Sequence, residues 1–217
     1  LNEARKEGAK RAFMYVTEKP YKAEFFGDVP FVCIKVPTGG GKTLVACHGV
    51  EKIMSIVLQN KLDRGIVLWF TPSETIKTQT LKKFKDRKDW HRRVLDEAFD
   101  NNVKVFSNEE ALSIRKSDVG DNLCIVVASL EAFRKEKSLQ KKYKVYQENG
   151  TLLDHFQNIA EPVYLEKDSE DTVINSLANV VRLSNPLIVI DEGHRTQTSL
   201  SFEFLKDLNP SFVIEYT

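Results

Sequence analysis

Three consecutive glycines, Gly39, Gly40 and Gly41, are followed at once by Lys42 and Thr43, between the apolar run FVCIKV (31–36) and a helix-like run beginning at Leu44. Glycines there leave backbone N–H groups unobstructed, and a helix starting at that point aims the positive end of its dipole at the same place. Such a pocket suits phosphate oxygens. A lysine at its lip can reach the outer phosphates of a nucleoside triphosphate, and a threonine hydroxyl can ligate magnesium. The competing reading is a glycine-rich surface turn with a solvated lysine. With glycine near 7% of residues generally, a G-x-G-K-[S/T] string arises by chance in a chain of this length on the order of once in a hundred. The stricter pattern has a glycine six residues before the lysine. This chain has Val36 there, so the loop is a variant form.

A second string tests the first. A magnesium-triphosphate site needs a carboxylate at the end of a neighbouring buried strand, and LIVIDEGH (187–194) supplies one. Asp191 follows four apolar residues and would hold the metal. Glu192 would stand beside it, able to take a proton from water attacking the terminal phosphate. Alone, an Asp-Glu pair after a strand reads as a surface turn. Beside a phosphate loop, each half-signal requires the other, and together they predict a nucleoside triphosphate site.

The elements that must position these residues follow from periodicity. The runs 31–36, 65–70, 103–106, 123–129, 187–190 and 211–216 are apolar and rich in β-branched residues, several on both faces, as strands of a buried parallel sheet are. Helical stretches separate them: 42–58, 73–85, 89–99, 130–146, 171–183 and 199–208, with a further helix over 1–17. In the first of these, Leu44, Val45, Cys47, Ile53, Met54 and Val57 are expected to form the inward stripe. The alternation predicts a three-layer α/β domain with a mostly parallel central sheet, spanning 1–217 as one unit. The polar segment 131–186 is longer than one crossover needs and is expected to be a helical insertion at the periphery of the sheet.

Composition narrows the function classes. The 217 residues are 41% hydrophobic and 29% charged, enough for a sizeable core, and no apolar run approaches a membrane span. The charged N-terminal stretch does not read as a signal peptide, so the expected compartment is the cytoplasm and no membrane partner is expected. Cys33, Cys47 and Cys124 lie far apart in apolar surroundings and read as core residues rather than disulfides or metal ligands. Net charge is +1, but 82–93 and 134–144 are basic and 161–171 is acidic. Solvated helix faces or phosphate contact would explain the basic runs equally.

With PTGGGKT and DEGH in this order, each after a strand, the chain resembles superfamily 2 helicases and translocases of the DEAD/DEAH-box type, whose first domain is a RecA-like P-loop NTPase fold. VLWFTPSETIKTQT (67–80) resembles motif Ia, and VVASLEAF (126–133) stands where motif Ib would. Within the superfamily, PTGGGKT, TPSETIKTQ and NPLIVIDEGHR are most similar to the Res subunit of type III restriction enzymes. The resemblance implies ATP and Mg2+ as cofactors. It implies that Thr38, Gly39, Gly40, Gly41, Lys42 and Thr43 cradle the nucleotide and that Thr43 and Asp191 hold the metal. Glu192 would activate water and His194 would sense the nucleotide, with Arg195 and Thr196 capping the loop that follows. Nucleic acid is expected near Thr71, Pro72, Ser73 and Ser129, with duplex DNA and a methyltransferase subunit as the partners.

The chain departs from the pattern in three places. The first glutamine is Gln59, so no adenine-reading glutamine precedes the phosphate loop. Motif III is expected to begin only at Thr217. Nothing in the chain resembles a second RecA-like domain or a nuclease. An isolated first domain is therefore expected to bind nucleotide but hydrolyse it weakly and to move nothing, because the second domain supplies the arginine that stabilises the transferring phosphoryl group. The alternatives are a nucleotide-dependent switch that binds a partner without unwinding, and a kinase-type phosphotransferase, which DEGH and the TPS segment do not explain.

Overall fold

All six apolar runs form strands in the computed structural model, which describes residues 29–37, 39–56, 65–133, 143–159, 164–191 and 199–217, with the isolated positions 11, 14 and 18. The strands are β1 (Phe31–Ile34), β2 (Gly65–Thr71), β3 (Val103–Ser107), β4 (Leu123–Ser129), β5 (Leu187–Asp191) and β6 (Phe212–Tyr216). They pair in the order β1-β6-β5-β2-β4-β3, every pair parallel. Parallel neighbours need a crossover at each step, which covers both faces of the sheet. The central strands β2, β4 and β5 are accordingly almost wholly buried.

Alternation along each strand sends consecutive side chains into two separate cores. Trp69 joins Val67, Val127, Val189 and Ile214 on one face, and α1 (Lys42–Ile56), α2 (Glu74–Lys85) and α3 (Trp90–Ala98) contribute Cys47, Val50, Phe84 and Leu95 to the same cluster. The Trp69 and Phe84 rings meet edge to face at 4.8 Å. Phe70 points the opposite way, against Phe133 and Phe204, in a cluster that also holds Val126, Ile190 and Val213. That second layer includes α4 (Lys116–Asp121), α5 (Leu130–Phe133), α6 (Leu177–Leu183) and α7 (Ser199–Asp207). The result is a three-layer RecA-like α/β domain.

Three expectations need correction. The stripe of α1 consists of Ala46, Cys47, Val50, Ile53 and Met54, while Val45 is exposed and Leu44 only half-buried; Val57 lies outside the described residues. Cys33 is exposed on the edge strand β1, whereas Cys47 and Cys124 are buried. Of the helix expected over 130–146, Leu130–Phe133 is helical, 134–142 lie outside the described residues and Lys144–Tyr146 is a 3-10 turn, while the helix expected over 171–183 is confined to Leu177–Leu183.

The described part of 131–186 contains two 3-10 turns, Lys144–Tyr146 and Gly150–His155, besides the helix Leu177–Leu183, and many of its apolar residues are in the core, although Leu153 and Tyr164 are exposed. Val145, Tyr146, Leu152 and Val181 are all buried there. Polar side chains fix the turns: Tyr146 donates to the Phe133 carbonyl at 2.5 Å, Asn149 Nδ2 to the Leu112 carbonyl at 2.7 Å, and His155 Nε2 lies 3.0 Å from the Ile114 carbonyl. Local polarity suggested a peripheral insertion because these few apolar residues carry no helical period. The predicted helix over 1–17 lies outside the described residues apart from isolated positions.

Candidate functional site

The glycine loop leaves β1 through a turn in which the Gly40 N–H donates to the Pro37 carbonyl at 2.8 Å. Gly39, the third residue of that turn, has φ +79°, a left-handed value that glycine meets without strain. Gly41 has φ +73°, and its carbonyl accepts from Leu44 and Val45 N–H at 2.9 and 3.0 Å, which starts α1. A Cβ on Gly40 would lie 2.9 Å from the Pro37 carbonyl and 3.0 Å from a Val36 methyl. Lys42 and Thr43 are thus the first two residues of a 15-residue helix, whose opening N–H groups point along its axis toward the loop. Thr38 lies outside the described residues.

Register brings the acidic half of the site to the same edge. Ile34 pairs with Tyr216, and Tyr216 pairs on its other side with Asp191. The row continues past the strand ends, where Val36 N–H donates to the Thr217 carbonyl at 2.8 Å and Thr217 N–H to the Ile34 carbonyl at 3.0 Å. Asp191 therefore stands two strands from the last residue of β1, roughly 10 Å away. It is buried at 7% exposure. Glu192, His194, Arg195 and Thr196 follow it directly but lie outside the described residues.

The field around α1 is shaped by the same groups. Burial pushes the Cys47 thiol up to about 12, and the Asp89 and Asp191 carboxylates push in the same direction. A thiol held that far up is inert at neutral pH.

Of the expected nucleic-acid residues, Thr71 and Ser129 pair with each other across β2 and β4 and are both buried. The Thr71 hydroxyl is shared between the Ala128 and Ser73 carbonyls, each at 3.3 Å. Pro72 and Ser73 are partly exposed, and the Ser73 hydroxyl caps α2 by accepting from Ile76 N–H at 3.3 Å. Behind them lies an arrangement that sequence reasoning missed. Lys77 is almost fully buried, and its ammonium reaches Glu74 at 2.6 Å, Glu109 at 3.1 Å and Asn108 at 3.1 Å. Its burial was hidden by an ordinary helical lysine pattern. A second missed element, Gly49 against Tyr216, had a legible signal in an isolated glycine inside a helical pattern.

The comparisons with known proteins bear on this geometry. The family model described as type III restriction enzyme, Res subunit, matches residues 23–217. The chain belongs to the type III restriction enzyme Res subunit family. The Res family match extends from upstream of the glycine loop, through Asp191, to the end of β6, and agrees with a superfamily 2 helicase-type domain of RecA-like fold. No curated protein matches the chain. Among solved structures, a nuclease-deletion mutant of the type ISP restriction-modification enzyme LlaGI, in complex with a DNA substrate mimic, is similar at 13% identity with a TM-score of 0.41. That likeness covers 96% of this chain and 16% of the other, so this Res-family domain spans about a sixth of that protein's length.

Proposed function

We propose that this domain is the ATP-binding half of a superfamily 2 motor, which couples Mg-ATP hydrolysis to movement on nucleic acid once joined to a second RecA-like domain. The observation that carries this reading is the row Ile34–Tyr216–Asp191, which sets a buried carboxylate on the sheet edge from which the glycine loop springs. The residues fit a magnesium nucleotide: two left-handed glycines, a helix start and a lysine for phosphate, and a hydroxyl and a carboxylate for the metal. Thr43 and Asp191 would hold the magnesium, which when bound would supply positive charge against the triphosphate.

In this reading the chain's own residues divide the work. Thr38 to Gly41 wrap the phosphates with backbone N–H groups, and Lys42 sets its ammonium against the outer oxygens. Thr43 and Asp191 orient the metal. Glu192 accepts the proton of the attacking water, and His194 reports the nucleotide state toward the nucleic-acid side. Nucleic acid would run over the ends of β2 and β4, touching Pro72, Ser73 and the backbone there, with the Thr71 and Ser129 hydroxyls supporting that surface from beneath. Contacts of this kind bind phosphates without reading bases. Family membership favours duplex DNA as the track and a methyltransferase subunit as a partner, with weak hydrolysis by this domain alone.

Titration with a fluorescent ATP analogue and magnesium tests the proposal. Saturable binding that falls at least tenfold in Lys42→Ala and in Asp191→Ala, a loss of about 1.4 kcal/mol, is the expected result. Binding indifferent to both substitutions in folded protein would sink it.

A further inference from the structure

The structure has two tryptophans in opposite situations. Trp69 is fully buried, whereas Trp90 is 70% exposed, an unusual position for so large an apolar side chain. It is not on a frayed end. Trp90 opens α3 on a turn closed by its own hydrogen bonds: Asp89 N–H donates to the Asp86 carbonyl at 3.0 Å and Lys88 N–H to an Asp86 carboxylate oxygen at 2.9 Å. Asp89 then caps the helix, accepting from the His91 N–H at 2.9 Å and lying 2.6 Å from its ring nitrogen. The indole is presented to solvent by a fixed corner.

Positive charge surrounds it. The Arg93 guanidinium lies over the indole, 5.0 Å from the ring centroid. Residues 82–93 hold seven Lys or Arg against two Asp. Arg92 is engaged with Asp96 and Lys85 with Glu110, but among the described residues no ion pair holds Lys82, Arg87 or Lys88. Asp86 and Asp89 are fixed by the turn's own hydrogen bonds and offset two of the seven cations, leaving the run five positive charges in excess. An exposed aromatic face ringed by uncompensated cations is the arrangement that stacks an unpaired base while holding its flanking phosphates. Its helix, α3, packs against α1, the helix that follows the glycine loop.

We propose that Trp90, with Arg93, Arg87 and Lys88, is a stacking site for single-stranded nucleic acid, separate from the strand-end path over Pro72 and Ser73. It rests on the nucleic-acid reading of the domain and deepens it, because duplex DNA offers an exposed tryptophan no free base face. The site holds a strand by one stacked base and two or three phosphates, without sequence readout.

The test uses the chain with Trp69→Phe, which leaves Trp90 as its only tryptophan, and a 20-nucleotide oligothymidine. Indole fluorescence should quench saturably as oligonucleotide is added. Read by the anisotropy of the same oligonucleotide carrying a fluorescein label, with Trp69 retained, Trp90→Ala should weaken binding about fivefold or more with an unchanged melting temperature, and Trp90→Phe should keep most of the affinity. Arg87→Gln and Lys88→Gln should each lower the slope of log affinity against log salt by about 0.7. Oligonucleotide binding with no quenching and no loss in Trp90→Ala would overturn the stacking site while leaving the nucleic-acid reading intact. No binding of single strand or duplex at low salt would overturn both.

Discussion

The hydroxyl of Tyr216 occupies the space that a Cβ on Gly49 would need. Gly49 lies mid-helix in α1 and Tyr216 at the end of β6, so the contact pins the helix after the glycine loop onto the strand between β1 and Asp191. The tyrosine is 1% exposed and its hydroxyl has no hydrogen-bond partner among the described residues. Burial pushes its ionisation upward, so it stays neutral.

Gly49→Ala is therefore expected to destabilise the domain by about 1–3 kcal/mol, although an alanine ordinarily stabilises a helix interior by close to 1 kcal/mol over glycine. Tyr216→Phe removes an unsatisfied hydroxyl and opens the space, so it should be neutral or stabilising and should rescue Gly49→Ala. Urea unfolding of the four proteins in this cycle checks it. Additive effects would show that the two residues do not share the space.

Gly40 and Gly41 should fail for different reasons. A Cβ at Gly41 meets nothing within 4 Å but must sit at φ +73°, at a cost of about 1–2 kcal/mol. Asparagine tolerates that conformation better, so Gly41→Asn should retain more thermal stability than Gly41→Ala. Gly40→Ala instead collides with Pro37 and Val36, and should displace the loop. Melting temperatures separate the two cases, and the affinity for a fluorescent ATP analogue should fall in all three variants.

Lys77 makes stability depend on acid. Burial alone would raise the Glu109 carboxyl, but hydrogen bonds from Ser107, its own backbone and the Lys77 ammonium bring it down from 4.5 to about 2. A depressed carboxylate contributes stability above its unfolded value, and loses it as pH falls through its folded value. The contribution should be complete above about pH 4.5 and gone near pH 2. Lys77→Met should cost about 1–2 kcal/mol at pH 7, discounted for the exposure of both glutamates, and should remove part of this acid limb, the Ser107 and backbone hydrogen bonds keeping the rest. Denaturant midpoints between pH 2 and 7 measure both effects.

Arg92 holds α3 in place. Its guanidinium donates to Asp96 at 2.8 Å and to the Phe84 and Val103 carbonyls at 3.0 and 2.8 Å, all buried. Arg92→Ala strands the Asp96 charge and should cost about 3 kcal/mol or more. Arg92→Met with Asp96→Leu should recover most of that. Chemical denaturation of both variants decides the matter. An equal loss in the double variant would mean that the carbonyl contacts, rather than the ion pair, carry the energy.

Within the described residues, what the sequence determined by itself was local. GIVLWF, LCIVVAS and LIVI are apolar beyond what a half-exposed strand needs, so their burial on both faces was written in the residues, and with it the layered α/β class; FVCIKV carries the same pattern but forms the partly buried edge strand β1. The turn at GGGKT was readable because glycines between a strand and a helical run mark a tight, left-handed turn into the helix. Asp191 was readable because a carboxylate ending such a strand must stand at the sheet edge.

Only the tertiary structure decided which strands neighbour one another. No local period says that β6 separates β1 from β5, yet that order sets the span between the glycine loop and Asp191. The same holds for side chains whose fate depends on a distant partner. Trp69 and Trp90 are one residue type, but one is roofed by Phe84 from the next helix and the other stands on a capped corner, 70% exposed, with only the Arg93 guanidinium over its ring among the described residues. Lys77 looks solvated in a helical pattern until the end of β3 brings Asn108 and Glu109 against it. Periodicity reports which face of an element is apolar. The identity of what covers that face is a long-range choice, made when the whole sheet closes on its helices.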